Sequence, residues 1–181
     1  VEKEACPLGL SPTASSTTTL ALGDALAMCL LEQRKFSEDD FALFHPGGSL
    51  GRKLTIKIED VMVSGDALPI VSENIKMREA LNVLSKNNLG IVVAVDKFNR
   101  ISGVFTTGDL MRLLENKQHF LDEPLHRFMS IEPKVIGSDE LAAKALHIME
   151  TYSITCLVVS DSKKQPLGIV QIYYILRSGV Y

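Results

Sequence analysis

Gly103-Val-Phe-Thr-Thr-Gly-Asp109-Leu-Met-Arg112 brings hydroxyls and a carboxylate to the point where an apolar run ends and a helical pattern opens. Hydroxyls, an acceptor carboxylate and the unpaired N–H groups of a helix start suit a ligand that carries ribose and phosphate. A plainer role fits the same residues: Asp109 caps the helix Leu110 to Asn116, contributing about 1 kcal/mol. Both readings stay open on these residues alone. Ser15, Ser16 and Thr17 to Thr19 make a second hydroxyl cluster, able to donate to phosphate near a helix start. Capping and packing account for them equally well. His119, His126 and His147 lack ligand spacing such as HxxxH, so they are expected on the surface and no metal site is expected.

The scaffold for these groups is an ordinary globular composition. The chain has 181 residues, 46% hydrophobic and 23% charged, with 19 basic against 22 acidic residues, which fits one large domain or two small ones. A net charge of −3 with no basic block gives no field for phosphate backbones, so nucleic-acid binding is not expected. Apolar runs such as Gly90 to Val95 fall short of the roughly 20 residues that span a bilayer, and no basic-then-apolar leader is present, so no membrane association is expected. Cys6, Cys29 and Cys156 are scattered without a CxxC, which argues against a disulfide framework or a zinc knuckle. A reducing, cytoplasmic compartment is the simplest expectation. The chain opens on Val1 with no first element of its own, and is expected to continue a longer fold.

Residues 20–34 read as a largely buried helix with a Thr cap, and 36–41 as a short capped turn of helix using Ser37 and Asp40. His45-Pro-Gly-Gly-Ser-Leu-Gly51 reads as a loop. From about residue 60 the chain repeats itself. Ala80-Leu81 falls on Ala145-Leu146 at an offset of 65 residues that holds without a gap to Arg112 on Arg177. Each copy runs as a short Pro-marked strand (68–71; 133–136), an amphipathic helix (75–87; 141–152), a β-rich run, a polar turn, a strand opening at Gly, and a last helix. That order is βαββα twice over. A unit of about 55 residues buries too little surface alone, so the copies are expected to pack on their sheets.

This double pattern resembles a tandem pair of cystathionine-β-synthase-type (CBS) domains, whose nucleotide signature is Gly-apolar-apolar-Thr/Ser-x-x-Asp. Gly103, Val104, Phe105, Thr106 and Asp109 fill it. The resemblance implies that Asp109 binds ribose hydroxyls and Thr106 lies near phosphate or sugar. The candidate ligand set is Gly103, Thr106, Thr107 and Asp109, with Ile70 from the leading strand. The second copy departs from the signature with Gln171 for Thr and Tyr174 for Asp, which removes the carboxylate acceptor; Tyr173 and Tyr174 are expected to fill core.

The N-terminal stretch carries a second resemblance. Glu4-Ala-Cys-Pro-Leu-Gly-Leu-Ser-Pro-Thr-Ala-Ser-Ser-Thr-Thr-Thr, then Gly23-Asp-Ala-Leu-Ala, then Asp40-Phe-Ala-Leu-Phe-His-Pro-Gly-Gly-Ser-Leu-Gly-Arg-Lys53 is similar to the end of the sugar-isomerase (SIS) domain of bacterial D-arabinose 5-phosphate isomerases, in which a CBS pair follows. The fold class expected is α/β: the C-terminal segment of an α/β SIS sandwich (1–54), then two CBS repeats (55–117 and 126–181) packed as a pair. The implied parent activity is interconversion of D-arabinose 5-phosphate and D-ribulose 5-phosphate through an enediolate, for lipopolysaccharide (Kdo) synthesis. Such chemistry needs a base at the carbon next to the carbonyl and an acid at oxygen. The resemblance assigns proton transfer to Glu4 and ring opening or shuttling to His45. It implies a sugar-phosphate substrate, a homo-tetramer, no required cofactor, and an adenosine or cytidine nucleotide, or a nucleotide sugar, as effector. Residues 1–54 are too few for a complete isomerase sheet, so this stretch alone is expected to be inactive.

Overall fold

Five consecutive apolar residues, Ile91–Val95, are all buried, which a strand permits only when both of its faces are covered. In the computed structural model, which describes all residues except 45–47 and 117–118, Val92 and Ala94 enter a core shared with helices. Ile91 and Val93 enter a second cluster between the two repeats. This is the period-two alternation of a strand sandwiched between layers. The chain divides into two units, Val1–Phe44 and His45–Tyr181.

The first unit holds helices α1 (Ala14–Gln33) and α2 (Glu38–Phe44). At the start of α2 the Ser37 hydroxyl donates to Asp40 across 2.8 Å and the Asp40 N–H returns to it at 3.2 Å, the expected cap. Helix α1 differs from the sequence reading. It starts at Ala14, so Thr17 to Thr19 lie inside it, and none of its residues is buried. Two helices in 44 residues leave nothing to cover it. By length and composition α1 is also apolar enough to cross a membrane, with Gly23 and Asp24 inside it.

The second unit begins with α3 (Ser49–Thr55), followed by β1 (Val63–Ser64), β2 (Ile70–Ser72), α4 (Met77–Lys86), β3 (Ile91–Val95), β4 (Ile101–Thr106) and α5 (Thr107–Asn116). The second copy supplies β5 (Ser130–Ile131), β6 (Val135–Ile136), α6 (Ala142–Tyr152), β7 (Cys156–Ser160), β8 (Pro166–Gln171) and α7 (Ile172–Arg177). Matching turns close the two hairpins. Asp96 Oδ1 accepts from the N–H groups of Phe98 and Arg100, and Asp161 Oδ1 from those of Lys163 and Gln165. The three histidines named above are exposed.

The strand orders are β2-β3-β4-β5 and β1-β8-β7-β6. The short strand ahead of each copy therefore joins the sheet of the other. β1 pairs with β8 through Ser64 and Gly168, and β5 pairs with β4 through Gly103 and Ile131. The cores follow the same exchange: Ile58 packs with Met149 and Val170, and Leu125 with Met77 and Phe105. Residues 56–64, which linear order gives to the first copy, thus complete the second. Between the two sheets lies the expected apolar layer, with Ile91, Val93 and Val104 from one side and Val158 and Ile169 from the other.

Candidate functional site

Strand β4 delivers Thr106 to the start of α5, and the first turn carries Asp109. Oδ2 of Asp109 accepts from the Thr106 N–H at 2.8 Å and from its hydroxyl at 2.7 Å, while the Asp109 N–H donates back to that hydroxyl at 3.2 Å. These reciprocal bonds form a capping box. The capping residue is therefore Thr106, not Asp109, and the carboxylate reaches back from inside the helix. Oδ1 of Asp109 accepts from Arg112. A carboxylate has about four acceptor positions, and these contacts leave room for one further donor on Oδ1. Capping and ligand binding are compatible uses of one side chain.

Thr106, Thr107, Asp109 and Arg112 form one wall of a cleft of about 650 Å³ between the repeats, a size suited to a small organic ligand. The opposite wall comes from the second copy and holds Lys134 and Tyr152. Lys134 Nζ sits 4.2 Å from the centre of the Tyr152 ring, a cation–π contact that keeps the ammonium at the cleft. The backbone turns into this wall at Glu132 and Ser153, which have φ of 54° and 52°. Sequence reasoning missed this half of the site. Its residues belong to a linker and a helix end, where periodicity carries no signal.

Two predicted ligand residues lie elsewhere. Ile70 stands on β2 opposite Val93 and packs, half-buried, into the layer between repeats, so it does not line the cleft. Gly103 is buried and also lies off the cleft. A Cβ on it would fall 2.7 Å from Met129 Sδ and 2.8 Å from the Ser130 carbonyl, and one on Gly168 would meet Met62 Sδ and the Val63 carbonyl at 2.7 and 2.9 Å. The repeated glycine admits the exchanged strand. It is a packing requirement of the fold.

In the second copy Tyr174 takes the place of Asp109, and with Met62 and Arg177 it lines a smaller pocket of about 420 Å³. Tyr174 packs into the layer between repeats, whereas Tyr173 is exposed and not core as expected. Gln171 Nε2 donates to the Leu89 carbonyl of the first copy across 2.8 Å.

Glu4 sits at the start of α1 and not in a catalytic cluster. Its Oε2 accepts from the Thr13 N–H at 2.7 Å, the Thr13 hydroxyl at 3.0 Å and the Ser15 N–H at 3.2 Å. Hydrogen bonds from Ser15 and then Thr13 hold its carboxyl at about 2, so it is ionised and weakly basic. His45 lies outside the described residues. Among the described residues, no group of three or more His, Cys, Asp or Glu could hold a metal ion.

A family model described as the CBS domain matches residues 58–116 and 125–180. The chain is 44% identical over 180 residues to arabinose 5-phosphate isomerase KdsD of Pseudomonas aeruginosa, a match covering 99% of this chain and 55% of that protein. The Escherichia coli isomerase is 42% identical over the same shares. The chain thus spans about half the length of the curated relatives it matches. Among solved structures, the CBS domain pair of protein MJ0100, in complex with 5′-methylthioadenosine and S-adenosyl-L-methionine, has a TM-score of 0.60 at 22% identity, covering 67% of this chain and 93% of that one. A CBS domain protein from Pyrobaculum aerophilum complexed with AMP has a TM-score of 0.60 at 20% identity, covering 66% and 89%. These two likenesses concern the fold alone. The repeats, the exchanged strands and the matched residues lead to one conclusion: the chain belongs to the CBS-domain family as a tandem pair, similar along its length to arabinose 5-phosphate isomerases.

Proposed function

We propose that the paired repeats are a nucleotide-binding regulatory module, with one ligand held between Asp109 and Lys134. The observation that carries this reading is the cleft itself, where a capped helix start faces a lysine that makes no ion pair among those described. Oδ1 of Asp109 accepts a ribose hydroxyl, the Gly108 N–H of the first turn of α5 and Lys134 meet phosphate, and the apolar side chains of Ile91, Val104 and Val158 take the base. Similar CBS pairs complexed with AMP or with S-adenosyl-L-methionine support a nucleotide ligand in general, and the choice between an adenosine and a cytidine type falls to the test. Binding biases the arrangement of the two repeats only if it is tighter in one arrangement. The test is thermal unfolding with AMP, CMP and a cytidine-linked sugar. Ligand at 100 times its Kd raises stability by about 2.7 kcal/mol, and Asp109→Ala removes the effect. No change with any of these at millimolar concentration overturns the reading.

A second role belongs to the longer protein that the 44% identity favours. In it, residues 1–54 close a sugar-isomerase domain that interconverts D-arabinose 5-phosphate and D-ribulose 5-phosphate for lipopolysaccharide synthesis, in a cytoplasmic homo-oligomer. Glu4 moves the proton there once its bonds to Thr13 and Ser15 loosen, and His45 serves the sugar oxygens. In that longer protein Glu4→Gln and His45→Ala should each reduce isomerase activity strongly. Full activity in both variants sinks the assignment.

A further inference from the structure

The departure of the second repeat from the nucleotide signature has a structural use. Thr106 and Gln171 occupy equivalent places at the ends of β4 and β8. Thr106 turns to Asp109 and stays within its own repeat. The longer Gln171 side chain crosses to the other repeat and donates to the Leu89 carbonyl at 2.8 Å. Leu89 and Gly90 line the open cleft, and their turn is held on two more sides. The Leu89 N–H donates to Asn87 Oδ1 at 3.0 Å, and the Gly90 carbonyl accepts from the N–H of Thr107, on the first turn of α5, at 3.0 Å. Gly90 has a φ of 66°, which glycine adopts without strain but, having no side chain to restrict it, does not hold by itself. On the second repeat Ile172 makes the matching bond to the Thr155 carbonyl, and Thr155 also lines the cleft.

We infer that Gln171 is a positioning residue for the ligand cleft: through Leu89 it sets the turn that fixes the Thr107 end of α5. One repeat binds and the other supplies the brace, through the side chain that replaces threonine at the end of β8. A threonine at 171 would be too short to reach Leu89. For its ligand this inference rests on the nucleotide reading of the cleft, while the bracing itself is independent of any ligand.

The experiment separates the two. Amide hydrogen exchange at Thr107 is measured on the full chain without ligand, for wild type, Gln171→Ala and Gln171→Glu. A glutamate keeps the shape and loses the donor. Both variants should exchange about tenfold faster at Thr107, reflecting the lost bond. AMP affinity, measured by calorimetry, should fall about fivefold or more in both. Ile136→Val, in the helix-facing core of the second copy and away from the cleft, should leave AMP affinity unchanged. Unchanged exchange at Thr107 in Gln171→Ala overturns the brace. Faster exchange with unchanged AMP affinity overturns its role at the cleft. Faster exchange in a protein whose wild type binds no AMP supports the brace and defeats the AMP reading instead.

Discussion

The Thr106 hydroxyl donates to Asp109 across 2.7 Å, and the Asp109 amide donates back to that hydroxyl across 3.2 Å. One pair of side chains is thus both the cap of a helix and the polar face of a cleft. Asp109→Ala should cost about 1 kcal/mol in urea unfolding, as the loss of a cap does, and should abolish nucleotide binding in equilibrium dialysis. Thr106→Ser keeps the hydroxyl and should preserve both. Binding retained in Asp109→Ala would separate the cleft from the cap.

Gly103 and Gly168 face the same obstruction, a methionine sulfur and a backbone carbonyl on the exchanged strand. Gly103→Ala and Gly168→Ala should each destabilise the pair by about 1–3 kcal/mol through overpacking. Adding Met129→Ala to the first should restore only part of the loss, because the Ser130 carbonyl stays in place. Complete recovery would mean that only the flexible sulfur matters.

Ile58 belongs by linear order to the first copy but is fully buried in the core of the second. Ile58→Ala should cost about 2–5 kcal/mol, and hydrogen exchange should rise first in β7 and β8, not in β3 and β4. The reverse pattern would refute the exchange of leading segments.

For Glu4 the sign follows from a carboxyl lowered from 4.5 to about 2 by Ser15 and Thr13. Its contribution to holding the start of α1 is complete above pH 4.5 and is lost as pH falls through about 2. An NMR titration of the Glu4 carboxyl should show a midpoint well below those of exposed glutamates. A midpoint near 4.5 would mean that the three hydrogen bonds do not persist in solution.

The cysteines should react in a set order. Backbone N–H groups, that of Ser11 foremost, lower the Cys6 thiol to about 7, while burial raises Cys156 to about 11. Iodoacetamide at pH 7.5 should modify Cys6 well before Cys156, since the thiolate is the nucleophile. Peptide mass spectrometry over time reads the order directly.

Much of the second unit was legible because its signals are periodic. The apolar spacing along α4 and the unbroken run at β3 place those elements within a residue or two. Strand exchange was not legible, because β1 and β5 are two residues long and two residues have no period. Of the site, only the wall with a local motif could be read. Lys134 and Tyr152 face Asp109 through chain folding alone, and the turn of Ile70 into the layer between repeats is not readable from a three-residue strand. The burial predicted for α1 followed from its apolar residues, but burial requires a partner surface that 44 residues do not provide.

The strand exchange also sets a timetable for a chain made from its N-terminus. β2, β3, β4 and β5 are consecutive in sequence, so the first sheet can close as soon as Ile131 has been synthesised. Ile58 and β1 are made before any of them, yet their places open only when β8 appears, after the whole first sheet. Until then an apolar side chain and an unpaired strand edge stay uncovered, the state most open to mispairing with another chain. The arrival of β8, and not the closing of the first sheet, therefore ends the period of greatest risk for this protein.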